Sequence, residues 1–264
     1  MAYKKIEELM KGTSDATIES LFEDNLNYNW SNYSEDDLYK LRCIFEVNMK
    51  DKSLFPNLST SNDFENKSAI NQIKEYLFLW GERFLNAKLP SKHEGTPSKS
   101  PYDAMIYKLL SLQTSITLNK DEARKAHELA MQSENIIGEL LEEFIAKQTA
   151  QYGWIWCKGA VMVATDFYFK GEGGKEVYLQ IKNKYNTENS SSSKVRVGTN
   201  IKKWNRLINK RIPGTNEAQS NWSELQKIMF DEVGIVPKNR NVLSESSFSK
   251  FIESATKNNP SIII

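Results

Sequence analysis

A run of alternating apolar and polar residues on both sides of a glycine-rich turn most constrains how this chain can fold. The turn is Gly171-Glu172-Gly173-Gly174, and alternating segments flank it at residues 161–169 and 176–184. Side chains that alternate with a period of two point to opposite faces of a β-strand. The pattern therefore predicts a β-hairpin, which a further strand at residues 154–157 precedes.

The same alternation predicts which side chains share a face of the hairpin. Apolar residues occupy the odd positions from 177 to 181, which leaves Gln180 and Lys182 on the opposite face. In the preceding strand, valine and phenylalanine residues at odd positions leave Asp166 on the opposite face as well. We therefore expect one carboxylate, one amide and one ammonium group to project from one side of two adjacent strands.

This set of groups is suited to phosphodiester hydrolysis. A carboxylate such as Asp166 and an amide oxygen such as that of Gln180 can bind Mg²⁺, which prefers oxygen ligands. A lysine at position 182 can orient the attacking water and offset the charge that develops on the phosphate. The sequence thus predicts a catalytic set of Asp166, Gln180 and Lys182, with Mg²⁺ as the cofactor.

The rest of the chain is dominated by helical periodicity. Up to about residue 150 apolar residues recur at helical spacings, and a long helix is predicted from residue 121 to about residue 150. We therefore predict an α/β (α+β) fold in three parts. These are a helical N-terminal region at 1–130, a core with the hairpin at 131–211, and a C-terminal helical segment at 212–264 that completes the fold.

Charge is unevenly distributed along the chain. Residues 170–211 hold 11 Lys/Arg against 3 Asp/Glu, whereas residues 1–169 hold 19 against 25. A basic block in an otherwise acidic chain is a candidate surface for a polyanion, although a solvated charged face would have the same composition.

A further helix, after the hairpin, is predicted at about residues 194–210, because Ile201, Trp204 and Ile208 recur at helical spacing. A basic helix face that follows hydroxyl-rich residues is well placed for DNA phosphates. The basic residues of that face are Lys202, Lys203, Arg206 and Lys210.

Two motifs resemble a known group of nucleases. Asp166 followed by Gln180-Ile181-Lys182 resembles the PD-(D/E)XK signature, and residues 182–204 resemble the SinI-type restriction endonucleases. The resemblance covers about residues 134–211. It implies a small mixed sheet flanked by helices and Mg²⁺-dependent hydrolysis of double-stranded DNA at a short palindromic, GGWCC-like sequence. It also implies a cognate DNA methyltransferase as a functional counterpart. Because a palindromic site is most simply cut by a two-fold symmetric pair of subunits, we expect a homodimer, at least when bound to DNA.

The sequence departs from the family pattern at one position. The signature normally has Glu or Asp where this chain has Gln180, and an amide contributes no charge to a bound metal. A second acid is therefore expected to share the metal. Glu142 and Glu139, on the helix that enters the core, are the candidates, and Glu142 is slightly favoured.

The loop that follows Lys182 is expected to contact DNA because it leaves the catalytic strand directly. Asn189 and Arg196 are the candidates for reading base edges, since Arg is the best bidentate partner for guanine. Lys202, Lys203 and Arg206 are expected to hold the phosphate backbone. The remaining candidate DNA contacts are Asn186, Ser190, Ser191 and Lys194.

Other function classes are disfavoured or left open. The two histidines, His93 and His127, have no metal-like or triad-like spacing, and Cys43 and Cys157 match no zinc or redox motif. No apolar run is long enough to span a membrane, so a cytoplasmic protein with buried, reduced cysteines is expected. A repair or recombination nuclease, and a non-catalytic DNA-binding protein on the same fold, remain alternatives.

Overall fold

A computed structural model describes residues 6–94, 105, 120–184 and 200–263 of the chain. The N-terminal part contains four helices: α1 (Ile6–Lys11), α2 (Asp15–Asp24), α3 (Glu35–Lys50) and α4 (Ala69–Leu85). Side-chain hydroxyls cap α2, α3 and α4 at Ser14, Ser34 and Ser68, each accepting a bond from a backbone amide in the first turn. We call α1–α4 the helical layer.

The predicted long helix is confirmed as α5 (Lys120–Thr149), and it leads directly into the sheet. The strands are β1 (Trp154–Trp156), β2 (Phe167–Lys170), β3 (Glu176–Lys184), β4 (Ile201–Arg211) and β5 (Ala218–Ser220). Two helices complete the described chain, α6 (Trp222–Gln226) and α7 (Glu245–Asn258). The predicted α/β class, a mixed sheet flanked by helices, is confirmed.

The five strands lie in the order β1-β2-β3-β4-β5. Neighbours pair antiparallel except β3 and β4, which are parallel. The predicted hairpin is confirmed as β2–β3, and β3 has the predicted bounds. Gly173 and Gly174 in its turn have φ values of 70° and 81°, which L side chains rarely adopt.

Two predicted elements differ from the structure. The strand expected at 161–169 begins only at Phe167, because Ala160 and Ala164 have φ values of 52° and 55° and interrupt the extended backbone. The helix expected at 194–210 is also wrong from residue 201 onward, where the chain forms β4; residues 194–199 lie outside the described ranges. Hydrogen bonding to β3 outweighs the helical spacing of Ile201, Trp204 and Ile208.

The sheet separates two hydrophobic cores. One face packs against α5, α6 and α7 through Leu179, Ile181 and Trp204. The other face meets the helical layer, where Tyr168 is buried and Tyr178 packs alongside it. The residues of β3 that alternate with Leu179 and Ile181 therefore point toward the helical layer.

Both cysteines are buried and unpaired, as expected, and burial raises the pKa of the Cys157 thiol. Among the described residues, no helix has the length and apolar content required to cross a membrane.

Candidate active site

Asp166 lies at the end of the loop between β1 and β2, where its backbone joins three strands. Its carbonyl oxygen accepts a hydrogen bond from the Cys157 amide at 2.9 Å, and its own amide donates to the Leu179 carbonyl oxygen at 2.9 Å. Its side chain is also fixed, because Oδ2 accepts a bond from the Ile181 amide at 2.7 Å. The carboxylate therefore has a defined position beside β3.

The loop that carries Asp166 has a strained backbone. Ala160 and Ala164 adopt left-handed conformations, each of which costs on the order of 1 kcal/mol for a residue with a Cβ atom. Gly159, at φ 78°, lies so close to the Arg83 carbonyl oxygen that a Cβ atom would be 2.2 Å from it. Such strain persists only where surrounding contacts hold it.

Gln180 and Lys182 lie on the face of β3 opposite Leu179 and Ile181, as predicted from the alternation. Gln180 is 3% exposed, and its Oε1 atom has no hydrogen-bond partner among the described residues. An unpaired buried amide oxygen is costly, and functional sites are a common reason for retaining one. Lys182 is half-buried, and its charge partly offsets the rise that burial causes in the pKa of both Glu142 and Asp166.

Glu142, on α5, is the second carboxylate of the candidate site, after Asp166. The Trp156 indole N–H donates to Glu142 Oε2 at 3.1 Å. Burial, followed by the nearby charge of Asp166, raises the Glu142 pKa to about 8. Burial also raises the Asp166 pKa, against the lowering effects of the Ile181 amide and Lys182. The two carboxyl groups thus lie near each other in a poorly solvated environment, where a bound cation would stabilise their charged forms.

These residues fit a Mg²⁺ site. Asp166 and Glu142 could supply carboxylate oxygens, and Gln180 Oε1, which has no hydrogen-bond partner among the described residues, could supply a neutral oxygen. The described residues contain no group of three or more His, Cys, Asp and Glu side chains arranged for a metal.

Asp166 and Glu142 open into a cleft with a volume of about 720 Å³. Glu139 also lines this cleft, but its side chain is exposed, whereas Glu142 is half-buried against Trp156. The helical layer forms one side of this cleft. The basic residues there were not anticipated from the sequence. They are Arg83, Lys88 and, from the strained loop, Lys158.

Hydrogen bonds connect one rim of the cleft, the segment around Ser91, to α5. Glu143 is fully buried and accepts bonds from the Ser91 amide at 2.7 Å and the Ser91 hydroxyl at 2.6 Å. Asn259 donates to the Ser91 carbonyl oxygen at 3.3 Å from the other side. These bonds attach the rim segment to α5 at the residue that follows Glu142 in sequence.

The strand β4 distributes the predicted DNA-contacting residues over two faces. Lys203 is the register partner of Gln180, so it lies on the face of the candidate site. Lys202 and Arg206 lie on the opposite face, where they form ion pairs with Glu232 and Glu245. The remaining candidates lie outside the described residues: Asn186, Asn189, Ser190, Ser191, Lys194 and Arg196.

Asn205 is a site residue that the sequence reasoning missed. It is the register partner of Lys182 on β4, on the same face, and its buried Oδ1 atom has no partner among the described residues. The strand register would have identified it, but this segment was predicted as a helix. Asn205 and Gln180 thus present, on the face of Lys182, two buried amide oxygens that have no hydrogen-bond partner in the described part of the chain.

The mixed sheet between the helical layer and α5–α7 is consistent with the fold of a restriction endonuclease. Residues 40–258 match the SinI restriction endonuclease family, and the chain belongs to that family. The match extends well beyond the 134–211 segment on which the resemblance rested, and it includes α4 and most of α3 but neither α1 nor α2.

Two curated relatives support this assignment. The type II restriction enzyme SinI of Salmonella infantis is 35% identical over 213 residues, which cover 80% of this chain and 85% of the relative. The type II restriction enzyme Eco47I of Escherichia coli is 35% identical over 219 residues, or 81% and 86% of the two chains.

Proposed function

We propose that this protein is a type II restriction endonuclease that uses Mg²⁺ to hydrolyse double-stranded DNA at a short palindromic sequence. Family membership supports DNA cleavage in general. One observation supports the finer proposal most strongly: buried Gln180, whose Oε1 atom has no hydrogen-bond partner among the residues that the structure describes, lies on the strand that adjoins Asp166, with Lys182 two residues further along. Free thiols and a DNA substrate favour the cytoplasm as the compartment.

Each site residue has a separate proposed task. Asp166, Gln180 and Glu142 would hold the cation, which when bound supplies positive charge at the scissile phosphate. Lys182 orients the attacking water and offsets the negative charge that develops on the phosphate. Glu142 provides the second negative charge that Gln180, as an amide, does not provide.

DNA contacts are proposed on both sides of the site. The segment after β3 would carry the base-reading residues Asn189 and Arg196, and Asn186, Ser190, Ser191 and Lys194 would support them. Lys203 lies on the face of the candidate site and would attract the phosphate backbone there. Lys202 and Arg206 would join it only if they exchanged Glu232 and Glu245 for phosphate groups.

The proposed partner arrangement follows from the substrate. A palindromic site, GGWCC-like by the family resemblance, is most simply cut by a two-fold symmetric homodimer in which each subunit cuts one strand. A cognate methyltransferase is the functional counterpart, because host DNA with unprotected sites would otherwise be cut.

Digestion of plasmids of known sequence tests the proposal. We expect Mg²⁺-dependent cutting into discrete fragments whose sequenced ends share one short palindrome, and no cutting in the presence of a chelator. Nicking that depends on DNA structure would indicate a repair or recombination nuclease instead. Specific binding without any cutting would indicate a non-catalytic protein and would contradict the proposal.

The choice between Glu142 and Glu139 predicts different outcomes for matched substitutions. Glu142→Gln is expected to lower the single-turnover cleavage rate by about 10²-fold, because a charge at the cation is lost. Glu139→Gln removes a more exposed charge one helical turn away, and we expect less than about a threefold change. Equal effects of the two substitutions, measured at saturating DNA, would refute the assignment of Glu142.

A further inference from the structure

The loop that carries Asp166 is inserted into the helical layer. The Val161 carbonyl oxygen, near the tip of the loop, accepts two buried hydrogen bonds from that layer. One comes from Asn48 Nδ2 on α3 at 3.1 Å, and the other from the Trp80 indole N–H on α4 at 2.8 Å. The Val163 amide adds a third bond, to the Leu54 carbonyl oxygen at 2.8 Å.

These contacts lie between the two strained residues of the loop. Ala160 precedes Val161, and Ala164 follows Val163, so the bonds to the helical layer hold the segment that joins the two left-handed positions. Two residues after Ala164 the chain reaches Asp166, whose carboxylate accepts the hydrogen bond from the Ile181 amide. Without the bonds from the helical layer, the loop would relax toward ordinary backbone conformations.

We propose that Asn48 and Trp80 are positioning residues for DNA cleavage: through Val161 they hold the strained loop so that Asp166 lies against β3. The proposal rests on the proposed nuclease function. It also gives the helical layer a task in the reaction, because neither residue lines the cleft and each acts only through the loop.

Asn48 offers the cleaner substitution. Asn48→Leu keeps a side chain of similar size, removes the donor to Val161, and removes the buried Asn48 Oδ1 atom, which has no partner among the described residues. Removing an unpaired polar atom offsets part of the cost of the lost bond, so the variant should fold. Trp80→Phe, which removes the other donor and keeps an aromatic ring, is the second variant.

Asn25→Leu is the matched control. Asn25, at the C-terminal end of α2, is also a buried amide; its Nδ2 atom donates to the Leu21 carbonyl oxygen at 2.9 Å and its Oδ1 atom accepts from Asn29 Nδ2 at 2.8 Å, so neither atom bonds to the Asp166 loop. A general loss of stability in the helical layer would therefore affect the control as much as the test variants.

The first measurement is amide hydrogen exchange under native conditions. We expect the Val163 amide and the Ile181 amide, which donates to Asp166, to exchange about tenfold faster in Asn48→Leu and Trp80→Phe than in the parent protein. Asn25→Leu should leave both amides unchanged. Unchanged exchange of these amides in both test variants would overturn the proposal.

The second measurement is single-turnover cleavage with saturating DNA. We expect the rate in Asn48→Leu to fall about 10- to 100-fold, because small displacements of a reacting group have large effects. Metal-free DNA affinity should change by less than about twofold, since Asn48 contributes no charge toward DNA phosphates. Equal losses in Asn48→Leu and Asn25→Leu would indicate a merely structural role. If the parent protein cut no DNA, the proposed function would fail, whereas the exchange result would still decide whether the helical layer holds Asp166.

Discussion

Asp166→Asn is expected to lower Mg²⁺-dependent DNA cleavage by about 10³-fold, because it removes a charge at the proposed cation while keeping the shape of the side chain. The substituted amide oxygen can still accept the bond from the Ile181 amide, so the local backbone should be retained. Burial raises the Asp166 pKa, which means that its charged form destabilises the fold at neutral pH. The variant should therefore be at least as stable as the parent protein in thermal unfolding.

Asp36→Asn is a suitable control for this experiment, because Asp36 is an exposed acid in the first turn of α3. It should leave both the cleavage rate and the unfolding temperature nearly unchanged. Cleavage by Asp166→Asn at a rate close to that of the parent protein would refute the assignment of the site.

Lys182→Ala is expected to lower the cleavage rate by about 10²- to 10³-fold, because the group that orients the water and offsets the phosphate charge is lost. DNA binding should persist, with the salt dependence of log K reduced by about one unit of slope at most. Single-turnover cleavage and metal-free binding assays separate the two effects.

Lys184→Ala is the matched control for Lys182→Ala. Lys184 lies two residues further along β3, on the same face, where it is exposed and forms an ion pair with Glu134. Its loss should change the cleavage rate by less than about threefold. If the two lysine variants lost activity equally, a general loss of positive charge would explain the result better than a catalytic role.

The β2–β3 hairpin was predictable because its signals are local. Strict alternation in residues 176–184 and the glycines of the turn specify β3 to the residue, and with it the shared face of Gln180 and Lys182. Each of these signals depends on neighbours only a few positions apart in the sequence.

The strand β4 was not predictable in the same way, because its identity depends on a distant partner. It pairs in parallel with β3, and a segment of more than ten residues separates the two strands. Ile201, Trp204 and Ile208 happen to match a helical spacing. The pairing decides the structure, and it also brings Lys203 and Asn205 next to the site.

The catalytic loop shows a second limit of local patterns. Val161 and Val163 belong to the alternation seen in the sequence, yet their backbone groups bond to Trp80, Asn48 and Leu54 instead of to a neighbouring strand. The position of Glu142 beside Asp166 likewise depends on how α5 packs against the sheet. Helical periodicity alone could not separate Glu142 from Glu139, because both lie near the same turn of the helix.

The most direct test of the account is to locate a bound cation. Crystals soaked in Mn²⁺, which takes the same oxygen ligands as Mg²⁺ and can be located by anomalous scattering, would show its position. We expect a peak within coordination distance, about 2.0–2.2 Å, of oxygens of Asp166 and Gln180, with Glu142 as a further ligand. A peak at another place, or no peak between these side chains at a Mn²⁺ concentration that supports cleavage, would contradict the account.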